Sequence, residues 1–132
     1  TIYYGDEVGL DGGYEPECRG TMPWDESQWD VDLRDYLRTA IQLRKDHPVL
    51  RHGTQRTLLV EDRGYAFLRE NDDVALAVVF NTGRDDNTFT LSVDAPVQAA
   101  EAVFGSAQIA ANDATISVTL PARSAVVINV KR

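Results

Sequence analysis

A chain of 132 residues, 43% apolar and 26% charged, has the composition of one globular domain or of one and a half small ones. Its formal net charge of −8 argues against nucleic acid or an anionic membrane as a partner, and no run approaches the roughly 18 apolar residues of a membrane span. One cysteine, Cys18, excludes a disulfide-stapled scaffold, and no basic region followed by an apolar run marks a signal peptide.

In chain order, Ile2-Tyr3-Tyr4 is a β-branched and aromatic run stopped by Gly5, and it reads as one buried strand without a visible partner. From Asp6 to Asp32 periodicity is weak, and Gly9, Gly12, Gly13, Pro16, Gly20 and Pro23 punctuate the segment. Residues 1 to 32 also hold nine acidic residues and one base, Arg19, whereas the rest of the chain is charge-balanced. A loop of this length in a compact domain is usually functional or belongs to a larger context. Residue 1 is threonine, which points to a piece of a longer chain. Leu33, Tyr36, Leu37, Ala40, Ile41 and Leu43 then recur at the helical period. Asp32 is the expected N-cap, Arg44 and Lys45 suit the C-terminal end, and Pro48 forces an exit near His47.

From about Thr57 the period changes to two. Phe89, Leu91 and Val93 alternate with Thr88, Thr90 and Ser92. Ile116, Val118 and Leu120 alternate with Thr115, Ser117 and Thr119. Val126, Ile128 and Val130 form a third set, and Val74 to Phe80 is continuously apolar, as a central strand would be. Leu58 to Glu61, Ala66 to Arg69 and Ala102 to Phe104 are shorter candidates. About seven short strands divided by Asp-, Asn- and Gly-rich turns predict an antiparallel sandwich. A strand, a long loop and a helix are what the last unit of a (β/α)8 barrel supplies, and in that fold the loop after the strand faces the active site. The predicted architecture is therefore α+β, with the last βα unit of a barrel in residues 1–53 followed by an all-β antiparallel sandwich in residues 54–132.

The segments Ile2-Tyr3-Tyr4-Gly5-Asp6-Glu7-Val8-Gly9-Leu10, Asp11-Gly12-Gly13, Pro16-Glu17-Cys18-Arg19 and Met22-Pro23-Trp24-Asp25 resemble the end of the catalytic barrel in the α-amylase family, glycoside hydrolase family 13. The likeness is to its neopullulanase, cyclomaltodextrinase and maltogenic amylase branch. Leu43-Arg44-Lys45-Asp46-His47-Pro48-Val49-Leu50 with Gly53 resembles the last barrel helix and its exit. Ala66-Phe67-Leu68-Arg69, Val78-Val79-Phe80-Asn81 and Leu120-Pro121-Ala122-Arg123-Ser124-Ala125 resemble the C-terminal sandwich. Glu15-Pro16 departs from the Asp-Pro more usual in that branch.

The resemblance implies a retaining hydrolase of α-1,4 and, in some members, α-1,6 glucosidic bonds in maltodextrins, cyclodextrins or pullulan. Retention needs two carboxyl groups about 5 Å apart across the scissile bond. In the family these stand on earlier barrel strands, so the resemblance places no catalytic residue on this chain, and the chain alone is expected to be inactive. It implies an α-glucan as partner, with a homodimer compatible with the branch, and no cofactor. Calcium is conceivable in a full-length enzyme, but no site is identified in this segment. One free cysteine favours the cytoplasm.

Individual residues carry competing readings. Asp6 and Glu7 resemble a carboxylate pair, but neighbours on an extended segment point apart, which favours structural hydrogen bonds. The cluster Asp6, Glu7, Asp11, Glu15 and Glu17 lacks EF-hand spacing and reads as a solvated acidic loop. Arg19 fits a salt bridge and a fork of donors to sugar hydroxyls equally well. Tyr14, at the glycine-rich tip, is the expected exposed aromatic; Arg19 and Tyr14 are the candidate substrate-binding residues. Trp24 is assigned to packing, Trp29 is left open, and Cys18 reads as a small buried residue. The competing class of function is a stand-alone carbohydrate-binding or structural sandwich. An exposed aromatic row would support it, but the alternating strands turn mostly Thr and Ser outward.

Overall fold

A computed structural model describes all residues, Thr1–Arg132. The chain divides into two compact units, Thr1–Asp46 and His47–Arg132. No helix is long and apolar enough to cross a membrane.

In the first unit Ile2–Tyr4 form no strand, contrary to the sequence reading. Their side chains are exposed, because no other strand of the chain lies beside them to take up the backbone hydrogen bonds a sheet requires. The segment that follows is not structureless: it makes three single 3-10 turns, Asp6–Val8, Glu17–Arg19 and Glu26–Gln28. The helix, α1, spans Val31–Asp46. Its N-cap is Asp30, not Asp32: the Asp30 Oδ1 accepts from the Leu33 amide at 2.9 Å, and the Asp30 carbonyl accepts the first helical bond, from Arg34. Asp32 instead sits in the first turn, favourably placed toward the helix dipole. Leu33, Leu37, Ala40 and Leu43 are half-buried, while Tyr36 and Ile41 of the expected apolar stripe are 49% and 40% exposed.

The second unit opens with α2, Val49–His52, directly after Pro48. Gly53 then lets the backbone turn tightly into the sheet; a Cβ there would stand 2.7 Å from the Val49 carbonyl oxygen and 2.8 Å from that of Glu70. Eight strands follow, one more than the alternation predicts: β1 (Thr54–Val60), β2 (Gly64–Glu70), β3 (Ala75–Asn81), β4 (Asn87–Ser92), β5 (Ala99–Phe104), β6 (Gln108–Asn112), β7 (Thr115–Leu120) and β8 (Ser124–Lys131). The unpredicted one is β6, Gln-Ile-Ala-Ala-Asn, an edge strand with a single large apolar residue.

All pairings are antiparallel. One sheet has the order β1-β2-β3-β8-β5, the other β4-β7-β6. Ala66, Leu68, Val79, Val126 and Ile128 of the first face Phe89, Leu91, Ile116, Val118 and Leu120 of the second in one core of essentially zero exposure. The period-two residues named from the sequence are thus the inward ones, and burying each such side chain contributes about 1.5–3 kcal/mol. The continuously apolar β3 is the middle strand of five, buried on both sides over most of its length. β1 and β5, the edges of that sheet, both carry a register irregularity.

Two polar devices join the sheets. Asn81, 2% exposed at the end of β3, donates through Nδ2 to the carbonyls of Asp85, Leu120 and Pro121 and accepts the Gly83 amide. At the opposite end Glu70 lies between Arg56 and Arg132, and Arg56 reaches on to Asp94 beyond β4 at 3.0 Å.

A candidate substrate-facing loop

The loop of the first unit is organised by its own hydrogen bonds. Gly5 and Gly9 adopt positive φ, 91° and 69°, on either side of the Asp6–Val8 turn. Val8 is buried, and its carbonyl accepts from the Asp30 amide, which fastens the turn to the start of α1. Asp6 and Glu7 do not converge. Asp6 accepts from the Tyr3 amide at 2.9 Å and Glu7 from the Gly5 amide at 2.8 Å, so both carboxylates bind backbone, although within a 3-10 turn and not an extended segment. No three His, Cys, Asp or Glu side chains gather as a metal site would require.

Tyr14 and Arg19 bracket the next turn, in which the Cys18 amide donates to the Tyr14 carbonyl. Tyr14 is 93% exposed. Arg19 ends the Glu17–Arg19 turn and pairs with Glu15, with its own side chain largely exposed. The Tyr4 hydroxyl donates to the Gly20 carbonyl at 3.0 Å and closes this turn from below in sequence. Desolvation, and after it the neighbouring Tyr3, raises the Tyr4 phenol above its ordinary value. Cys18 is exposed, which corrects its reading as a buried residue: a three-residue 3-10 turn has no inner side against which a small side chain could pack.

The two tryptophans correct the sequence reading in opposite ways. Trp24, assigned to packing, is 82% exposed. Trp29 does the pinning: its Nε1 donates to the Pro23 carbonyl at 2.6 Å, and the Arg34 guanidinium lies 4.7 Å from its ring centre. The signal was present. With Asp30 as N-cap, Trp29 occupies the position before the cap and Arg34 the fourth helical position, the two places a hydrophobic staple would use, joined here by a cation–π contact. Asp25 completes the segment by accepting from the Ser27 Oγ and amide, and these bonds hold its carboxyl below the usual carboxylate value.

The arrangement offers an exposed phenol ring and a guanidinium fork at the two ends of one turn, with the exposed indole of Trp24 ahead of the next. Such groups suit a polyhydroxylated ring: aromatic faces cover its apolar face, and Arg donors reach its hydroxyls. The residues found beyond the sequence candidates are therefore Trp24, now exposed, and Trp29, now structural.

Comparison with known proteins identifies the family. Residues 59–131 match the model of the α-amylase C-terminal all-β domain. The chain belongs to the α-amylase family. It is 48% identical over 89 residues to a cyclomaltodextrinase of Bacillus sp, a match covering 66% of this chain and 16% of that protein. It is 32% identical over 112 residues to a maltogenic alpha-amylase of Bacillus acidopullulyticus, covering 82% of this chain and 19% of that one. A solved cyclomaltodextrinase superposes with a TM-score of 0.84 at 36% identity, over 98% of this chain and 23% of its own. The chain thus spans less than a quarter of the length of these relatives.

Proposed function

We propose that this chain is the C-terminal part of a retaining α-glucan hydrolase that cleaves α-1,4 glucosidic bonds, and in some substrates α-1,6 bonds, of maltodextrins, cyclodextrins or pullulan. Residues 1–53 close its (β/α)8 barrel and residues 54–132 form its sandwich. The observation that carries this reading is the likeness to a cyclomaltodextrinase over 98% of the chain, first unit included.

In this reading the two carboxyl groups of the retaining mechanism, about 5–5.5 Å apart, come from barrel strands outside this chain: one attacks the anomeric carbon while the other protonates the departing oxygen, then activates water. What this chain supplies is the rim. Ile2–Tyr4 pair as the last barrel strand, and the loop lies on the active-site face, as loops after barrel strands do. Tyr14 covers a sugar face and Arg19 donates to hydroxyls. The compartment is the cytoplasm, and a second copy completes a homodimer.

The test is a pair of assays. The full-length gene product should release reducing ends from β-cyclodextrin, pullulan or maltodextrin with retained anomeric configuration by NMR, and the 132-residue chain should release none. Turnover by the pure 132-residue chain, or a gene product inert on all three glucans, defeats the proposal.

A further inference from the structure

One aspartate of the chain precedes a glycine: Asp11, followed by Gly12. The backbone nitrogen of the residue after an aspartate can attack the aspartate carboxyl carbon and close a five-membered imide. A side chain on the attacking residue crowds that closure, and glycine has none. The peptide must also be free to swing its nitrogen over the carboxyl, which a hydrogen-bonded or packed segment resists and an exposed loop tip allows.

The structure leaves Asp11 and Gly12 free where their neighbours are held. Residues 11–13 belong to no helix, strand or turn, and all three are exposed. Neither the Asp11 carboxylate nor the Gly12 amide takes part in a hydrogen bond or an ion pair. A Cβ placed on Gly12 would meet no atom within 4 Å, so this peptide can rotate without displacing a neighbour. Both flanks are anchored. The Leu10 amide donates to the Gly5 carbonyl at 2.9 Å, and a Cβ on Gly13 would stand 2.9 Å from the Glu17 Cβ. Other aspartates of this unit are protected twice over. Asp6, Asp25 and Asp30 hold backbone amides with their carboxylates, and the residue after each carries a side chain.

We propose that Asp11 is a site of spontaneous modification, at which the chain closes a succinimide with Gly12 and reopens to isoaspartate. The Gly12 nitrogen attacks the Asp11 Cγ. The N–Cγ bond forms as the Cγ–OH bond breaks, and the amide proton leaves with the hydroxyl as water. Water then adds to one of the two imide carbonyls. Addition at Cγ restores aspartate. Addition at the Asp11 backbone carbonyl carbon breaks the original peptide bond and leaves the chain running through Cγ, which is isoaspartate. No oxidant or reductant enters, and the final mass equals the starting one. The main chain gains one carbon between two anchored points, just ahead of the turn bracketed by Tyr14 and Arg19. The reaction needs no part of the proposed function.

The full-length gene product, aged for several weeks at physiological temperature and neutral pH, tests it. Its peptides are assayed for isoaspartate by labelled methyl transfer from S-adenosylmethionine with an isoaspartyl methyltransferase, beside a synthetic peptide of residues 8–16 as the unstructured reference. Isoaspartate should appear at Asp11 before any other aspartate and within about ten-fold of the reference rate, the mark of an attack with little added barrier. A slower rate, or earlier accumulation at another aspartate, overturns the proposal. Gly12→Ala, which the open space around Gly12 accommodates, should slow accumulation at Asp11 several-fold; an unchanged rate refutes attack by this nitrogen. Hydroxylamine present during ageing should trap the imide as a hydroxamate on the Asp11 peptide, and isoaspartate without any trapped product overturns the succinimide route.

Discussion

Asn81 is the most informative residue to perturb. Its amide is nearly inaccessible and meets four backbone partners: the carbonyls of Asp85 at 2.9 Å, Leu120 at 3.2 Å and Pro121 at 2.9 Å, and the Gly83 amide at 2.9 Å. In Asn81→Ala the buried Gly83 amide loses its acceptor and the buried Leu120 carbonyl loses a donor, while the outer two carbonyls can turn to water. An orphaned buried polar group costs about 1–3 kcal/mol, so the loss should be about 2–5 kcal/mol. Domain stabilities are about 5–15 kcal/mol, which makes this a large fraction, and the expected fall in melting temperature is more than about 10 °C. Asn81→Asp separates hydrogen bonding from packing. It keeps the acceptor for Gly83 but turns a carboxylate toward three carbonyl oxygens. Burial and those oxygens raise the pKa of the introduced carboxyl above its unfolded value. The variant should therefore be least stable, relative to the native chain, at neutral pH and recover part of the deficit as pH falls through that raised value. Urea unfolding monitored by circular dichroism at pH 5 and pH 7.5 measures both. A loss below about 0.5 kcal/mol for Asn81→Ala, the range of ordinary surface changes, would refute the view that this amide ties the sheets together.

Other perturbations test other joints. Gly64→Ala places a Cβ 2.3 Å from the Phe89 ring, so calorimetry should show a loss of about 1–3 kcal/mol. Glu70→Gln removes the charge between Arg56 and Arg132; urea unfolding should show a loss of at most about 1 kcal/mol that shrinks in high salt. Asp25 titrates below a normal carboxylate because Ser27 bonds to its charged form, so its contribution is present above the unfolded pKa and is lost as pH falls through the folded one; in Ser27→Ala, NMR titration should show the Asp25 pKa rise. Amide exchange should be faster over residues 2–46 than over the inward strands β3, β7 and β8, because no residue of α1 is fully buried whereas those strands form the core.

How much the sequence revealed followed from how local the determining physics was. In Phe89-Thr90-Leu91 and Ile116-Ser117-Val118 the alternation itself states which side chains enter a core, and each inward residue is buried. β6 was illegible because an edge strand needs only one inward anchor, Ile109, and Gln-Ile-Ala-Ala-Asn carries no more. Ile2–Tyr4 form no strand in this chain because β-branched and aromatic residues state a preference that only a neighbouring strand can satisfy. The cap was misplaced by two residues because both Asp30 and Asp32 are good caps, and only the position of Trp29 against Arg34 separates them. The ring cluster of Tyr65, Phe67 and Phe80 was illegible because a turn divides these residues, and their proximity arises from the β2–β3 register.

The same contrast distinguishes the two units in how they hold their shape. The second unit fixes its side chains by burial, where the inward residues leave one another no room. The loop of the first unit has one fully buried apolar side chain, Val8, and fixes its backbone by bonds to side chains instead: Asp6 to Tyr3, Glu7 to Gly5, Tyr4 to Gly20, Asp25 to Ser27 and Trp29 to Pro23. Each joins backbone to a nearby side chain, so the turns hold their shape while Tyr14, Arg19 and Trp24 project outward. The proposed contact with a hydrated sugar would benefit from that division, since a group already held in place loses less freedom on binding. The nine acidic residues of this segment fit the same scheme. Several serve as acceptors for backbone amides, which makes the local charge a consequence of ordering a loop without a core.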